Sequence, residues 1–192
     1  MEKSDSVVPM LPPAGTREAI LESARELFIE RGYDATSLRV IAEKVGTTKA
    51  AVYYHFPAKE HLLLEITRPM LDDLADLVAQ YRQTGNGPED ASDVLEAYLD
   101  LFLSHLSVLG VLARDPATYS HPDIGMRARK LVEAVQQHLC GPEPTPEHVT
   151  RAACAVGVVH AIATLPPDVA RTQRGVVLAA AVAALTPPTT ER

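Results

Sequence analysis

The chain has no tryptophan, three phenylalanines and two cysteines in 192 residues. Such a shortage of large rings argues against a broad aromatic cage for a cationic ligand. Cys140 and Cys154 build neither a disulfide framework nor a paired metal motif, which fits a reducing, cytoplasmic setting. Apolar runs such as 152–159 and 175–185 fall well short of the about 20 residues that span a bilayer, so a membrane is not an expected partner. Residues 1–15 have no sustained apolar core and read as a flexible arm rather than a signal peptide. Enzyme signatures are missing as well: there is no G-x-S-x-G, H-E-x-x-H, Walker loop or Gly-rich dinucleotide turn, so neither catalysis nor a cofactor is expected. Basic residues are in deficit, 18 against 25 acidic ones for a net charge of -7, which at first argues against a polyanionic partner.

The distribution of that charge reverses the argument. Between Thr36 and Lys59 lie Arg39, Lys44, Lys49 and Lys59 against Glu43, a net of +3, so the remaining residues hold -10. The same stretch has a helix-turn-helix pattern. Leu38, Ile41, Ala42 and Val45 recur at i, i+3, i+4 and i+7, an apolar stripe on a helix of about two turns. Gly46 permits a sharp reversal, and Thr48 can cap a second helix whose buried edge is Val52 and Phe56. Lys49, Ala51, Tyr53, Tyr54 and His55 remain for the outer face. Tyr53 and Tyr54, about 100° apart on a helix, cannot both face one core.

Flanking segments complete the unit. Thr16 opens a helix with Ile20, Ala24, Leu27 and Phe28 on one face, ending at Gly32. Beyond Pro57, Lys59 starts a further amphipathic helix, where the macrodipole disfavours a cation and an external anion such as a DNA phosphate would relieve the conflict.

On these residues, 16 to about 65 resemble the N-terminal domain of the TetR family of transcriptional repressors. The matching words are T-R-E-A-I-L-E-S-A-R-E-L-F-I-E-R-G-Y, A-T-S-L-R-V-I-A-E-K-V-G and T-K-A-A-V-Y-Y-H-F-P-A-K-E-H-L. The resemblance implies an all-α homodimer, with a three-helix DNA-binding domain at 16–58 and a larger helical domain for effector binding and dimerisation at 59–187. It further implies a repressor that leaves a palindromic double-stranded operator when a small, mainly apolar effector binds; a transcriptional activator is the alternative within the family. Lys49, Ala50 and Ala51 match positions that face bases. Ser37, Thr48, Tyr53, Tyr54, His55 and Lys59 match positions that touch phosphates, and Arg39 can reach the groove edge. Two residues depart from the pattern. Ala51 stands where threonine is frequent and offers only a methyl, suited to a thymine C5-methyl. Ala58 replaces a capping residue, forfeiting about 1 kcal/mol.

From Lys59 onward the pattern predicts helices with short connectors. The first runs toward Tyr81, with Pro69 expected to kink or divide it. The T-G-N-G-P-E-D segment marks a break, after which Asp90 or Ser92 can cap a helix carrying Leu95, Tyr98, Leu99, Phe102 and Leu106. Further helices are expected over 108–113 and 123–138, from Thr145, and from Asp168 to the end. The last two carry small-residue stripes: Ala152, Ala153, Val156, Val159 and Ala163 on one, and Val169, Val176, Val177, Ala180 and Ala184 on the other. These suit either a tight monomer core or a four-helix dimer interface, and the family resemblance favours the dimer. A pocket between the central helices would draw on Met70, Leu74, Phe102, His105, Met126 and His160. A redox- or metal-responsive regulator using Cys140, Cys154, His138 and His160 is a competing reading, although H-x-C lacks a second close pair of ligands.

Overall fold

The structure is a computed structural model and describes residues 15–84, 90–114, 118 and 121–186. Its regular elements are α1 (Thr16–Arg31), α2 (Leu38–Val45), α3 (Lys49–His55), α4 (Lys59–Thr84), α5 (Ala91–Ser104), α6 (Leu106–Arg114), α7 (Pro122–Cys140), α8 (Pro146–His160), α9 (Pro167–Thr172) and α10 (Arg174–Leu185), with a 3-10 turn at Ala161–Thr164. The protein is all-α, with a helix-turn-helix region at its N-terminal end and a larger helical region after it. Among the described residues, no single helix is long and apolar enough to cross a membrane.

In the first region each helix forms where its apolar stripe and cap coincide. Ile20, Ala24, Leu27 and Phe28 of α1, Leu38, Ile41 and Ala42 of α2, Val52 of α3 and the following Phe56 are all buried. Burial on this scale stabilises by about 1.5–3 kcal/mol for each fully covered large side chain. Ser37 caps α2 by accepting from the Val40 N–H, and Thr48 caps α3 by accepting from the Ala51 N–H at 3.1 Å. Between them Gly46 sits at φ 74, a left-handed conformation that side-chain-bearing residues resist.

Helix α4 crosses from the first region into the second. It remains one helix through Pro69, so the expected division does not occur. Pro69 lies on the exposed side, while Ile66, Thr67, Met70 and Leu71 hold the flanking turns in the core. The second half of α4 packs on α7, α6 packs on α1, and α8 and α10 pack closely along each other.

Several expectations about the second region are corrected. The T-G-N-G-P-E-D break falls largely outside the described residues. Asp90 precedes α5 but makes no capping bond; its carboxylate meets His138 Nε2 at 2.7 Å, with both side chains 12% exposed. Helix α6 runs from Leu106 rather than 108, and α7 from Pro122 to Cys140. The final helix is divided into α9 and α10 around Gln173. The small-residue stripes also divide: Ala152, Val156 and Val159 are interior, whereas Ala153, Val176 and Ala180 face outward. Thr145 does start α8, through a capping box with His148.

Candidate nucleic-acid interface

Helix α3 is seven residues long and is held by its ends. Its start is tied by Thr48, and its buried edge is Val52, with Phe56 immediately beyond. The opposite face carries Lys49 and Ala50, both exposed, with Tyr53 43% and Tyr54 69% exposed. Lys49 Nζ lies 5.3 Å from the centre of the Tyr53 ring, one turn along the helix, so the cation and the ring present a joint surface. Ala51 and His55 are half-buried. His55 Nε2 is buried without a hydrogen-bond partner, and the imidazole packs edge-on against Tyr54 at 5.2 Å.

An open groove of about 440 Å³ runs between α2, α3 and the start of α4, lined among others by Ser37, Arg39, Lys49, Tyr53 and Lys59. Arg39 is 78% exposed and bonded to Glu43 at 2.8 Å, a contact made one helical turn away in full solvent. The hydrogen bond to Glu43, and then the charge of that carboxylate, hold the Arg39 guanidinium above its ordinary value. Solvent screens such a pair, so Arg39 is readily re-paired with another anion. Thr48 and Ser37 expose their capping oxygens beside helix N-termini, where backbone N–H groups favour anions.

Besides Arg39, two of the four basic residues counted in this stretch are bonded within the chain, to groups distant in sequence. Lys44 bonds Glu26 of α1 at 2.7 Å, which raises its ammonium above the ordinary value and ties α2 to α1. Lys59 donates from Nζ to the Tyr33 carbonyl at 2.7 Å and to the Asp34 carbonyl at 3.5 Å, and lies 4.0 Å from the centre of the Tyr33 ring. The conflict between this cation and the α4 dipole is therefore met by acceptors within the chain, without an external anion. Sequence reasoning missed Tyr33 as its partner. It also missed Arg17, which bonds Glu65 at 2.7 Å and stacks over Phe56 at 5.2 Å. Both links join residues more than 25 positions apart, and nothing local announces them.

The six residues expected to line an effector pocket do not form one group. Met70, Leu74 and Phe102 are buried core residues. His160 stacks on Phe102 at 5.1 Å and shares a 2.6 Å hydrogen bond with the hydroxyl of Tyr98, a buried polar handle that periodicity had assigned to the core stripe alone. Burial pushes the His160 imidazole below its ordinary value. His105 faces Asp73 at 2.6 Å on the α4–α5 surface, and Met126 stands 54% exposed on α7, away from the interior. A cavity of about 560 Å³ opens elsewhere, where the start of α5, the end of α7, the start of α8 and the end of α10 meet; Ser92, Leu139, Cys140, His148 and Leu185 are among its lining residues.

Cys140 is buried, which raises its thiol above the ordinary value and opposes the reactive thiolate, and Cys154 is exposed on α8. His138 is paired with Asp90 and His160 with Tyr98, so neither stands free beside a cysteine. Among the described residues, no group of three or more histidine, cysteine or acidic side chains is arranged to hold a metal ion.

Comparison with known proteins places this geometry. Residues 20–66 match the family described as bacterial regulatory proteins, tetR family. The transcriptional repressor KstR2 of Rhodococcus jostii is 39% identical over 84 residues, which cover 44% of this chain and 40% of that protein. The transcriptional activator FasR of Mycolicibacterium smegmatis is 30% identical over 125 residues, covering 65% of this chain and 57% of that protein. In both cases the match spans less than two thirds of the relative. A TetR-family regulator from Streptomyces coelicolor superposes with a TM-score of 0.72 at 20% identity, covering 97% of this chain and all of that one, which establishes a shared fold.

Proposed function

We propose that the chain is a member of the TetR family through its N-terminal helix-turn-helix domain, a reading supported by the family match over residues 20–66, and that it is a DNA-binding transcriptional regulator, acting as a repressor at a palindromic operator. The observation that carries this reading is the outward face of α3, where Lys49, Ala50, Tyr53 and Tyr54 are exposed on a helix whose other side is locked into the core. In this reading α3 enters the major groove and Lys49, Ala50 and Ala51 meet base edges. Ser37, Thr48, Tyr53, Tyr54 and His55 approach phosphates, and Arg39 exchanges Glu43 for the backbone. The domain division at 58/59 is part of the same proposal.

A palindromic site needs two readers related by a twofold axis. The face proposed for the second copy is the exposed side of α8 and α10, with Ala153, Gly157, Val176, Ala180 and Ala183, small enough for close helix approach. Val149 and Val176, 51% and 64% exposed, are the large apolar groups that such a partner would cover. For the effector, the about 560 Å³ cavity is a better candidate than the six scattered residues, because it brings Leu139, Val182 and Leu185 together with Ser92, His148 and Arg151 around one space.

Selection of bound fragments from a genomic library, followed by gel shift at several salt concentrations, tests the reading. Binding to a fragment with inverted half-sites, falling steeply with salt, is the expected result. Absence of salt-dependent binding to any fragment would end the DNA-binding reading. Reporter expression rising with the protein, rather than falling, would make it an activator.

A further inference from the structure

Helix α4 is held by different partners on either side of Pro69. Before the proline, long-range polar links tie α4 to α1 and to the loop that leads into the helix-turn-helix. Lys59 Nζ bonds the Tyr33 and Asp34 carbonyls, and Glu65 accepts from Arg17 of α1 at 2.7 Å. The Arg17 guanidinium also lies over Phe56, the residue that ends α3. After the proline the links go to the second region. Asp72 pairs with Arg127 of α7 at 2.6 Å, and Asp73 with His105 just beyond α5. Pro69 lacks the N–H that would bond the Glu65 carbonyl, so the helix is weakest between its two sets of attachments.

We propose that Lys59 and Arg17 are positioning residues that fasten the first turns of α4 to the helix-turn-helix, so that residues 16–68 form one rigid reading head and Lys59 acts within the chain rather than on a DNA phosphate. The path from Lys59 to the interface is short. Its carbonyl partners lie in the loop that leads through Thr36, whose hydroxyl bonds the Gly32 carbonyl at 2.8 Å, to Ser37, the cap of α2. A displacement of Lys59 therefore displaces the start of α2, and through the α2–α3 packing the reading helix. Burial would raise the Glu65 carboxyl, but hydrogen bonds from Arg17 and Arg68 and the charges of both hold it below its ordinary value, so the Arg17 link is ionic at neutral pH. Head and body also meet where α1 packs on α6.

The inference deepens the DNA-binding reading but can be tested apart from it. Amide exchange on the free, full chain is compared for wild type, Lys59→Met, Lys59→Arg and Arg17→Met. Loss of a charge-assisted bond should speed exchange at residues 36–41 by roughly tenfold or more in Lys59→Met, with recovery in Lys59→Arg. Unchanged exchange in both Lys59→Met and Arg17→Met would overturn the strap. Binding to a mixed-sequence DNA duplex is then measured against salt. Lys49→Ala should lower the slope of log affinity on log salt by about 0.9, whereas Lys59→Met should lower affinity with the slope kept. A slope in Lys59→Met that falls as far as in Lys49→Ala would make Lys59 a phosphate contact and overturn the proposal. Should Lys59→Met fail to fold, Lys59→Gln, which removes the charge and shortens the reach to the two carbonyls, serves in its place. If wild type shows no salt-dependent DNA binding, the family reading fails, and the exchange result still decides the strap.

Discussion

The head and the body of this molecule are held together by different kinds of interaction. In the head, short-range devices set the helix ends, where Ser37 and Thr48 cap their own helices and Gly46 makes the reversal between them, and Lys59 and Arg17 add the longer links to α4. In the body, polar groups find partners far along the chain. Asp90 meets His138, Tyr98 meets His160, and Arg174 of α10 bonds both Glu96 and Asp100 of α5. A region specified locally keeps its shape while its sequence neighbours change. A region specified by distant pairs can be retuned by altering one member.

The sharpest way to break this contrast lies within one pair of helices. Val156 is 1% exposed in the core of the body, whereas Ala180 is exposed on the face proposed for the second copy. Val156→Asp should unfold the body, since an unpaired buried charge costs several kcal/mol. Ala180→Asp should leave helicity and the monomer's stability intact while sedimentation reports loss of the dimer. A folded Val156→Asp variant would refute its burial, and a dimeric Ala180→Asp variant would refute the interface.

Next in size is Pro69→Ala. Restoring the missing N–H on an exposed helix position should raise stability by roughly 1–3 kcal/mol in thermal or urea unfolding. The same change should weaken the effect of an effector on DNA affinity, and by linkage the effect of DNA on effector affinity falls by the same factor. An unchanged coupling factor would reduce the proline to a packing feature. Gly46→Ala should cost about 1 kcal/mol, because it forces a Cβ into the left-handed region although nothing lies within 4 Å of the added atom. A loss well above that would mean that the reversal tolerates no strain at all.

The smallest expected effect is a pH dependence. The folded state holds the His160 imidazole below its ordinary 6.5 because burial disfavours the charged form. The unfolded chain therefore takes up its proton first as the pH falls, and stability present above 6.5 is lost progressively below it. His160→Gln keeps a hydrogen-bonding group near Tyr98 but cannot titrate, so its stability should change less over the same window. Equal profiles would remove His160 from the account.

The head was legible in the sequence because its signals are local. The stripe from Leu38 to Val45, the glycine at 46 and the caps at 37 and 48 each act within four residues, and the structure has all of them in place. What escaped there were the links of Lys59, whose carbonyl partners lie 25 and 26 positions away, and of Arg17, which bonds Glu65 48 positions away. The body was legible in most of its helices and in the Thr145 start, but not in the division of the last helix into α9 and α10, and less so in which faces are inside. Alanine and valine at 152, 153, 156 and 180 read alike in sequence, and only packing decides that two of these stripes split between core and surface. Met126 was drawn toward an interior pocket by its apolar character, which says nothing about the direction in which α7 turns it.

At the seam between α1 and α6, Gly110 faces Ile29 so closely that a Cβ added there would lie 3.6 Å from the isoleucine side chain. That gap accepts a methyl in ordinary contact. The seam therefore works as a thickness gauge between head and body. Alanine at 110 would fit the existing clearance, whereas leucine would act as a shim, tilting α1 away from α6. In a twofold dimer the tilt occurs once on each side, so the separation of the two reading helices changes by twice the displacement of one. The half-site spacing selected from random DNA by a Gly110→Leu protein would then measure, in base pairs, how thick that seam is.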